Sequence, residues 1–197
     1  KAPGEASVSI AADNVEFSGF KIKQVNNTNL HVHSIDIFGQ TGTEIRNNKF
    51  GHAVRLQGNA DETIIDNNTI EAQVSVYDSS DVEVINNQIR PDFGGEFDTQ
   101  ELNVVTVQNR GDDRGFKLEN NTLEADPGKN QKFLFDDQNN DLDEEELNGI
   151  IKANDFVPDT AQIVGDGKYI VSSPGENEVL NANTGERFDS DKPISTA

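Results

Sequence analysis

One six-residue pattern of apolar and asparagine positions recurs along the chain. It consists of an apolar residue, any residue, two asparagines, any residue and a second apolar residue. The full copies contain the pairs Asn47-Asn48, Asn67-Asn68, Asn86-Asn87 and Asn120-Asn121. A weaker copy has only Asn154, and a variant without asparagine opens the series around Phe17 and Phe20. Self-similarity of this kind indicates a solenoid, in which each unit buries its apolar face against its neighbours.

The residues around each copy alternate between apolar and polar types, which is typical of half-buried strands. A first strand precedes each asparagine pair. A second strand follows it, with apolar positions at Val54/Leu56, Val74/Val76 and Val105/Val107. Gly, Asn, Asp and Ser residues, which favour turns, fill the corners between the strands. The pattern therefore predicts short units of strand, asparagine turn, strand and corner, which build a parallel β-solenoid.

The paired asparagines predict a ladder of side-chain amides along the solenoid. Parallel strands of successive units stack about 4.8 Å apart, so equivalent asparagines would lie directly above one another. Asn tolerates the left-handed conformation of a sharp corner, and its amide can hydrogen-bond to the next amide in the stack. We therefore predict a structural ladder formed by Asn47, Asn48, Asn67, Asn68, Asn86, Asn87, Asn120, Asn121 and Asn154.

These units resemble those of the right-handed parallel β-helix superfamily, which has the pectin-lyase-like fold. More narrowly, they are similar to the short repeats shared by carbohydrate-binding and sugar-hydrolase proteins and by periplasmic nitrous-oxide-reductase accessory proteins. The resemblance rests on the asparagine units and on residues 12–22, and it covers about residues 8–124. It implies an all-β fold, a right-handed single-stranded parallel β-helix. The repeats of this chain predict about six or seven coils, with a short helix in one insertion.

The expected β-helix spans residues 1–171. Insertions interrupt its rhythm at about 23–42, 90–103 and 124–149. Residues 172–197 lose the pattern and are expected to form an irregular C-terminal cap or linker. The start of the chain enters the coils without an obvious cap, although terminal repeats need a polar end. We therefore expect the chain to be a piece of a longer protein.

Two of the insertions contain candidate secondary structure. The first has Leu30/Val32 and Ile35/Ile37 as candidate strand positions. In the third, Asp141 is a candidate N-cap with Glu144 at its N3 position, which predicts a short helix at about 142–149. Function in solenoid proteins usually lies on such excursions from the repeats.

Composition limits the classes of function. The chain has 197 residues, with 16 Lys and Arg against 36 Asp and Glu, a net charge of −20 and no Cys. The absence of Cys excludes disulfides, thiolate chemistry and iron–sulfur clusters. Because the negative charge repels phosphate backbones, nucleic-acid binding is not expected, and no apolar run is long enough for membrane insertion. Only 33% of the residues are hydrophobic, which fits a thin core inside a polar shell.

The three histidines form the first candidate metal site. His31 and His33 are two residues apart and would project from the same face of a strand. His52 lies one coil away, and Asp36 is nearby in the sequence. These ligand types suit zinc or copper, and the resemblance to the accessory proteins makes copper a candidate. The alternative is that all three are surface imidazoles.

A second candidate metal site lies in an acidic run, where Asp137, Asp141 and Asp143 supply closely spaced oxygen ligands. The run is only loosely similar to an EF-hand loop. Leu142 stands at the position of the turn glycine, and Asn148 replaces the terminal glutamate. Calcium is therefore a candidate cofactor, and adventitious calcium on an acidic surface is the alternative to a specific site.

Catalysis in this superfamily would need paired carboxylates or a basic residue beside bound calcium. Asp112 and Asp113 are the candidate pair, because polygalacturonase-like members use such aspartates as acid and base. Here Gly51-His52-Ala53 precedes the pair, which is the wrong order, and the downstream Arg-Ile-Lys motif of that group is missing. The alternative is a charged turn between coils. A lyase base would have to come from Arg46, Arg55, Arg90, Arg110 or Arg114, and no basic groove for a polyanion is visible.

Two hypotheses of function follow. The first is a non-catalytic extracellular or cell-surface domain, a surface-layer or adhesion-type scaffold that is a candidate carbohydrate binder. Its partners would be polysaccharide or cell-wall and surface proteins. The second is a fragment of a polysaccharide lyase or glycoside hydrolase that acts on an extracellular polysaccharide. Clustered carboxylates and aromatic platforms on one sheet face would favour a sugar binder or an enzyme, and the aromatic content of 7% counts against stacked sugar subsites.

The net charge of −20 predicts self-repulsion within the folded chain. Because salt screens such repulsion, we expect the melting temperature to rise from low ionic strength to about 0.5 M salt, where the Debye length is roughly 4 Å. Divalent cations should act in the same direction. Thermal unfolding followed by circular dichroism measures the effect, and a melting temperature that stays flat or falls would contradict it.

Overall fold

The structure is a computed structural model that describes residues 6–23, 33–91, 103–108, 115–124, 132–136, 149–150, 152–157, 162–165, 168–173, 176–181 and 187–189. In chain order its strands are β1 (Val8–Ile10), β2 (Glu16–Ser18), β3 (Lys21–Ile22), β4 (His33–Phe38), β5 (Glu44–Arg46), β6 (Lys49–Phe50), β7 (Ala53–Gln57), β8 (Ile64–Asp66), β9 (Thr69–Ile70), β10 (Val74–Tyr77), β11 (Glu83–Ile85), β12 (Gln88–Ile89), β13 (Asn103–Gln108), β14 (Lys117–Glu119), β15 (Thr122–Glu124), β16 (Lys132–Asp136), β17 (Asp155–Val157), β18 (Gln162–Gly165), β19 (Lys168–Ser173), β20 (Glu176–Asn181) and β21 (Arg187–Asp189). Among the described residues, 149–150 and 152–153 are helical.

The strands form three sheets that the chain enters in turn. Sheet A has the order β1-β4-β7-β10-β13-β16-β18-β19-β20-β21, sheet B has β2-β5-β8-β11-β14, and sheet C has β3-β6-β9-β12-β15-β17. All neighbours in sheets B and C are parallel, as are those of sheet A from β1 to β18. This confirms the prediction of an all-β protein with parallel strands, and the strand order is consistent with a parallel β-helix.

The core is a column of aliphatic side chains that stack in register from one unit to the next. In sheet A, Leu56 pairs with Val76, and in sheet B, Ile65 pairs with Val84. All four side chains are fully buried. Burial of such a side chain contributes about 1.5–3 kcal/mol. One or two inward residues per strand therefore suffice, and this explains how a chain with 33% hydrophobic residues has a continuous core.

The predicted second-strand positions lie in sheet A. Val54/Leu56, Val74/Val76 and Val105/Val107 lie in β7, β10 and β13, which confirms these strands. Ile35/Ile37 also form a strand, because both residues lie in β4 in register with β1 and β7. The other candidate strand, Leu30/Val32, lies outside the described residues.

The C-terminal third departs from the repeat. Of the predicted helix at about 142–149, only its last residue is described, and it is helical. The helical residues 149–150 and 152–153 stand where earlier units have a strand before the asparagine. The segment 172–197, which the sequence predicts to be irregular, contains β20 and β21. These two strands pair antiparallel and continue sheet A beyond β19.

The second asparagine of each pair forms a buried ladder at the corner between sheets B and C. Asn68 shows the arrangement. Its Oδ1 accepts hydrogen bonds from the backbone N–H of Asn48 at 2.9 Å and from Asn48 Nδ2 at 3.0 Å. Its Nδ2 lies 2.9 Å from the carbonyl oxygen of Ile45, 3.0 Å from that of Asp66 and 3.0 Å from Asn87 Oδ1. One side chain thus satisfies backbone groups in two successive units, which buried polar groups require.

The first asparagine of each pair has a different role, because its backbone adopts the left-handed conformation with a positive φ angle. The φ angles at Asn47, Asn67, Asn86 and Asn120 lie between 53° and 57°. Asn tolerates this conformation better than other residues with a Cβ atom. The outer side chains are mostly exposed, and Asn67 Nδ2 donates to Asn47 Oδ1 at 2.7 Å. The predicted ladder therefore consists of an outer row that makes the turn and an inner row that satisfies the buried corner.

The inner row begins and ends with altered units. At its start, Phe20 replaces the asparagine, and its backbone N–H donates to Asn48 Oδ1 at 2.9 Å. At its end, Asn154 accepts from the backbone N–H of Asn121 at 2.9 Å. The Nδ2 of Asn154 donates to the carbonyl of Ile150 at 2.8 Å, because a helical turn precedes it. The ladder therefore continues to Asn154, although the described residues before it are helical and not a strand.

Replacement of an inner asparagine should destabilise the fold much more than replacement of an outer one. Asn68→Ala leaves the N–H of Asn48 and the carbonyl of Ile45 buried without their partner, so we expect a loss of about 2–4 kcal/mol. Asn67→Gly keeps the left-handed turn and should change stability by less than about 1 kcal/mol. Urea unfolding of both variants measures the difference, and equal losses would contradict the division into two rows.

Candidate functional site

The outer face of sheet A carries a column of polar side chains in strand register. Asp36, Arg55, Ser75 and Thr106 are paired neighbours on β4, β7, β10 and β13. They alternate with the buried aliphatic residues of the same strands, so they point away from the core. A second column, nearer the ends of the strands, contains Phe38, Gln57 and Tyr77. Together these seven residues form the patch that we call the sheet A face.

A charged pair with a supporting amide lies at the centre of the sheet A face. Arg55 Nε donates to Asp36 Oδ1 at 3.0 Å, and Arg55 Nη2 donates to Asp36 Oδ2 at 2.6 Å. Gln57 Nε2 lies 3.3 Å from Asp36 Oδ1. Two parallel hydrogen bonds fix the planes of the guanidinium and the carboxylate. The pair therefore offers donors and acceptors at fixed positions while its net charge is zero.

Phe38 and Tyr77 lie on either side of Gln57, in the column next to this pair. Phe38 is 66% exposed, although it is a large apolar side chain on a strand. Its ring lies over Gly58, where an added Cβ atom would be 3.1 Å from Phe38 Cε2. Gly58 also has a φ of +63°, which favours glycine. Glycine thus makes room for a ring that remains open to solvent, as in a stacking platform.

The sheet A face becomes more enclosed towards β13. Ser75 and Thr106 point outward, yet they are only 1% and 5% exposed. The Oγ atom of Ser75 has no hydrogen-bond partner in the described part of the chain. The face therefore grades from an open aromatic end to an enclosed hydroxyl end.

The segments that connect sheet C to sheet A differ greatly in length. Residues 51–52 and 71–73 are short links from sheet C to sheet A, whereas residues 23–32, 90–102 and 125–131 are the long ones. The long links contain parts of the three predicted insertions. Their ends are fixed beside the strands of sheet A by connectivity alone. Connecting segments that follow a rigid strand commonly carry binding residues.

The predicted histidine site lies only partly within the described residues. His33 and His52 are both buried, and His33 pairs with Ala53, the residue after His52. The backbone N–H of His52 donates to Ser34 Oγ at 3.0 Å, beside a register shift between His33 and Ile35. The alternative interpretation, in which the histidines are surface imidazoles, therefore does not hold for His33 and His52. His31 lies outside the described residues.

The other predicted sites also lie outside the described residues. This applies to the calcium candidates Asp137, Asp141 and Asp143 and to the catalytic candidates Asp112 and Asp113. Within the part of the chain that the structure describes, no three His, Asp or Glu side chains are placed to hold a metal ion. Asp36, which the sequence places near the histidines, is engaged by Arg55 instead.

The sheet A face was missed by the sequence analysis, although its signal was present. Asp36 and Phe38 alternate with Ile35 and Ile37, so the period of two already directs them outward. Arg55 likewise alternates with Val54 and Leu56, so the period of two also directs it outward. What the sequence lacks is the register between strands, which decides that Asp36 meets Arg55. Because the sequence places Asp36 in the predicted insertion at about 23–42, it does not align β4 with β7.

Comparisons with protein-family models, with curated proteins and with solved structures gave no match for this chain. In the described ranges, no helix has the length and apolar character required to cross a bilayer. An interpretation of function must therefore rest on the geometry of the sheet A face.

Burial of His52 predicts a pH dependence of stability. Burial lowers the pKa of His52 below its ordinary value of 6.5, because the charged imidazole loses hydration. The unfolded chain therefore binds a proton more readily, and stability falls as the pH decreases through about 6.5. We expect His52→Gln to lose less stability than the parent between pH 7.5 and pH 5.5, measured by urea unfolding. Equal losses in the two proteins would show that His52 is not responsible.

Proposed function

We propose that this chain is a right-handed parallel β-helix of the pectin-lyase-like type that serves as a non-catalytic extracellular or cell-surface scaffold. In this proposal the scaffold binds neutral carbohydrate on the sheet A face. The parallel strands and their cyclic order through three sheets support the β-helix, and right-handed crossover is the general rule for parallel strands. The observation that carries the binding function is the exposed aromatic platform beside a fixed Asp–Arg pair.

The chemistry of the sheet A face suits the hydroxyl groups of a sugar. Adjacent hydroxyls on a pyranose ring act as both donors and acceptors, and the Asp36–Arg55 pair with Gln57 presents both kinds of group. The apolar face of the ring would stack on Phe38 and Tyr77, which lie in the same column. Ligand sites commonly combine such an apolar surface with a few polar groups that fix orientation.

Electrostatics favours a neutral ligand over a polyanion. The chain carries a net charge of −20, which repels uronate polymers. The one cation at the centre of the face, Arg55, is already paired with Asp36 at 2.6 Å. Both oxygens of Asp36 are engaged by this pair, so neither is poised as a general acid or base. These contacts support binding without bond cleavage.

Calorimetry with neutral oligosaccharides selected on a glycan array tests this proposal. Phe38→Ala and Tyr77→Ala remove the stacking surface, so each should weaken binding by about 1–2 kcal/mol, or roughly five- to thirtyfold in Kd. Phe20→Ala is the matched control, because Phe20 is also an exposed aromatic side chain but lies at the corner between sheets B and C. It should leave the Kd unchanged.

Two results would overturn the proposal. One is the absence of binding to any neutral glycan. The other is an affinity that survives the loss of both platform residues while Phe20→Ala reduces it. Incubation with uronic-acid polymers adds a separate check, because a lyase produces unsaturated ends that absorb in the ultraviolet. Such absorbance would show that the chain is an enzyme and would exclude the non-catalytic scaffold.

A further inference from the structure

The outer asparagine row contains two matches to the acceptor triplet for N-linked glycosylation, which is Asn, any residue except Pro, and Ser or Thr. The two triplets are Asn67-Asn68-Thr69 and Asn120-Asn121-Thr122. A third match, at Asn26, lies outside the described residues. So short a motif also occurs by chance, so the position of each triplet in the fold decides whether it can act as an acceptor.

Both acceptor asparagines are exposed, whereas the asparagine that follows each of them is buried. Asn67 and Asn120 have φ angles of 53° and 55° and make the left-handed turn of the outer row. Asn68 and Asn121 belong to the inner row and are only 3% and 1% exposed. The division into two rows therefore places the acceptor of each triplet on the surface and its middle residue in the core.

The threonine of each triplet also lies on the outer surface. Thr69 and Thr122 both pair in register with Gln88 on sheet C. Each is followed by a fully buried aliphatic residue, Ile70 or Leu123. Because successive side chains of a strand point to opposite faces, the two threonines point outward. The amide and the hydroxyl that the motif requires are thus both outside the core.

The corner that carries the outer row has short connections. The turns between sheets B and C are two residues long, at 19–20, 47–48, 67–68, 86–87 and 120–121. The longer links at 23–32, 90–102 and 125–131 connect sheet C to sheet A instead. These links leave the strands of sheet C at the end opposite to the asparagine turns. The corner is therefore a place where a bulky group can project from the solenoid.

The amide of Asn67 can accept a sugar and keep its contact within the row. Asn67 Nδ2 donates to Asn47 Oδ1 at 2.7 Å. An amide nitrogen carries two hydrogens, so one remains as a donor when a sugar replaces the other. Modification therefore does not require the turn to open.

The triplets occupy alternate units of the row. Lys49 and Gln88 take the position of the threonine in the unit before Asn67 and in the unit between the two acceptors. Strands of successive units are about 4.8 Å apart, so Asn67 and Asn120 are roughly 10 Å apart along the stack. Each glycan would therefore have twice the space that neighbouring units could give it.

We propose that Asn67 and Asn120 each carry an N-linked glycan. In the transfer, Nδ2 of the asparagine forms a bond to the anomeric carbon of a sugar that is carried on a lipid phosphate. The bond between the anomeric carbon and the phosphate oxygen breaks, and its electron pair leaves with the phosphate. Nδ2 loses one proton in the same step.

This inference rests on the extracellular location in the proposed function, because N-linked glycosylation is a modification of secreted chains. It does not rest on the proposed carbohydrate binding. The outer row lies between sheets B and C, whereas the sheet A face belongs to the third sheet. Glycans on the row therefore leave the sheet A face uncovered.

Site-resolved mass spectrometry of the full chain, purified from the organism that produces it, tests the proposal. We expect a glycan on Asn67 and on Asn120, and none on Asn47 or Asn86. The last two are matched controls, because they have the same left-handed conformation in the same row but no threonine two residues later. An unmodified Asn67 or Asn120 would overturn the assignment of that site. Equal modification of all four would show that the triplet does not select the acceptor.

Conservative variants produced in the same organism test each site separately. Thr69→Val keeps a β-branched side chain on the strand but removes the hydroxyl, so the glycan on Asn67 should be lost while that on Asn120 remains. Thr122→Val should have the reverse effect, and Thr69→Ser should keep both glycans. Circular dichroism checks that the variants keep the fold. A glycan that persists on Asn67 in Thr69→Val would contradict the proposal.

Fractionation of the same cells separates failure of this inference from failure of the proposed function. A chain found outside the cell without a glycan on either asparagine would overturn the inference and leave the proposed location intact. A chain found only in the cytoplasm, without glycans, would overturn both. Calorimetry with neutral oligosaccharides is independent of either result.

Discussion

The fold depends on how the backbone N–H and C=O groups are hydrogen-bonded at the corner between sheets B and C. At this corner the chain turns sharply while its N–H and C=O groups are buried. The inner asparagine of each unit meets both needs, because its amide accepts from the unit before and donates towards carbonyls on either side. The same contacts join Asn87 to Asn121, which are 34 residues apart, and Asn48 to Asn68, which are 20 apart. The ladder therefore keeps the units in register whatever the length of chain between them.

A corner fixed in this way allows the rest of each unit to vary. The inward positions need only supply one or two aliphatic side chains per strand, and these are fully buried in the middle of the molecule. Outward positions that are exposed need not pack against the core, and several of them are charged. On sheet A this freedom permits an arrangement that stability does not require, with Phe38 exposed above Gly58 and Asp36 clamped by Arg55. Binding chemistry can thus be placed on a rigid surface without disturbing the core.

The C-terminal part of the described chain departs from the regular unit. Helical residues stand where earlier units have a strand before the asparagine, and sheet A continues into the antiparallel strands β19, β20 and β21. The inner asparagine row nevertheless continues to Asn154. The ladder therefore does not depend on the conformation of the residues that precede each asparagine.

The sequence by itself determined the repeating part of this protein. The period of two identifies the strands, and the paired asparagines identify the corner, because both signals depend on residues close together in the chain. Local alternation also directs Asp36 and Phe38 outward. It does not reveal that Asp36 meets Arg55, or that the outer and inner asparagines have different roles. Those facts depend on the stacking of units that are 19 or more residues apart. Such distant pairing leaves no local pattern, and only the tertiary structure decided it.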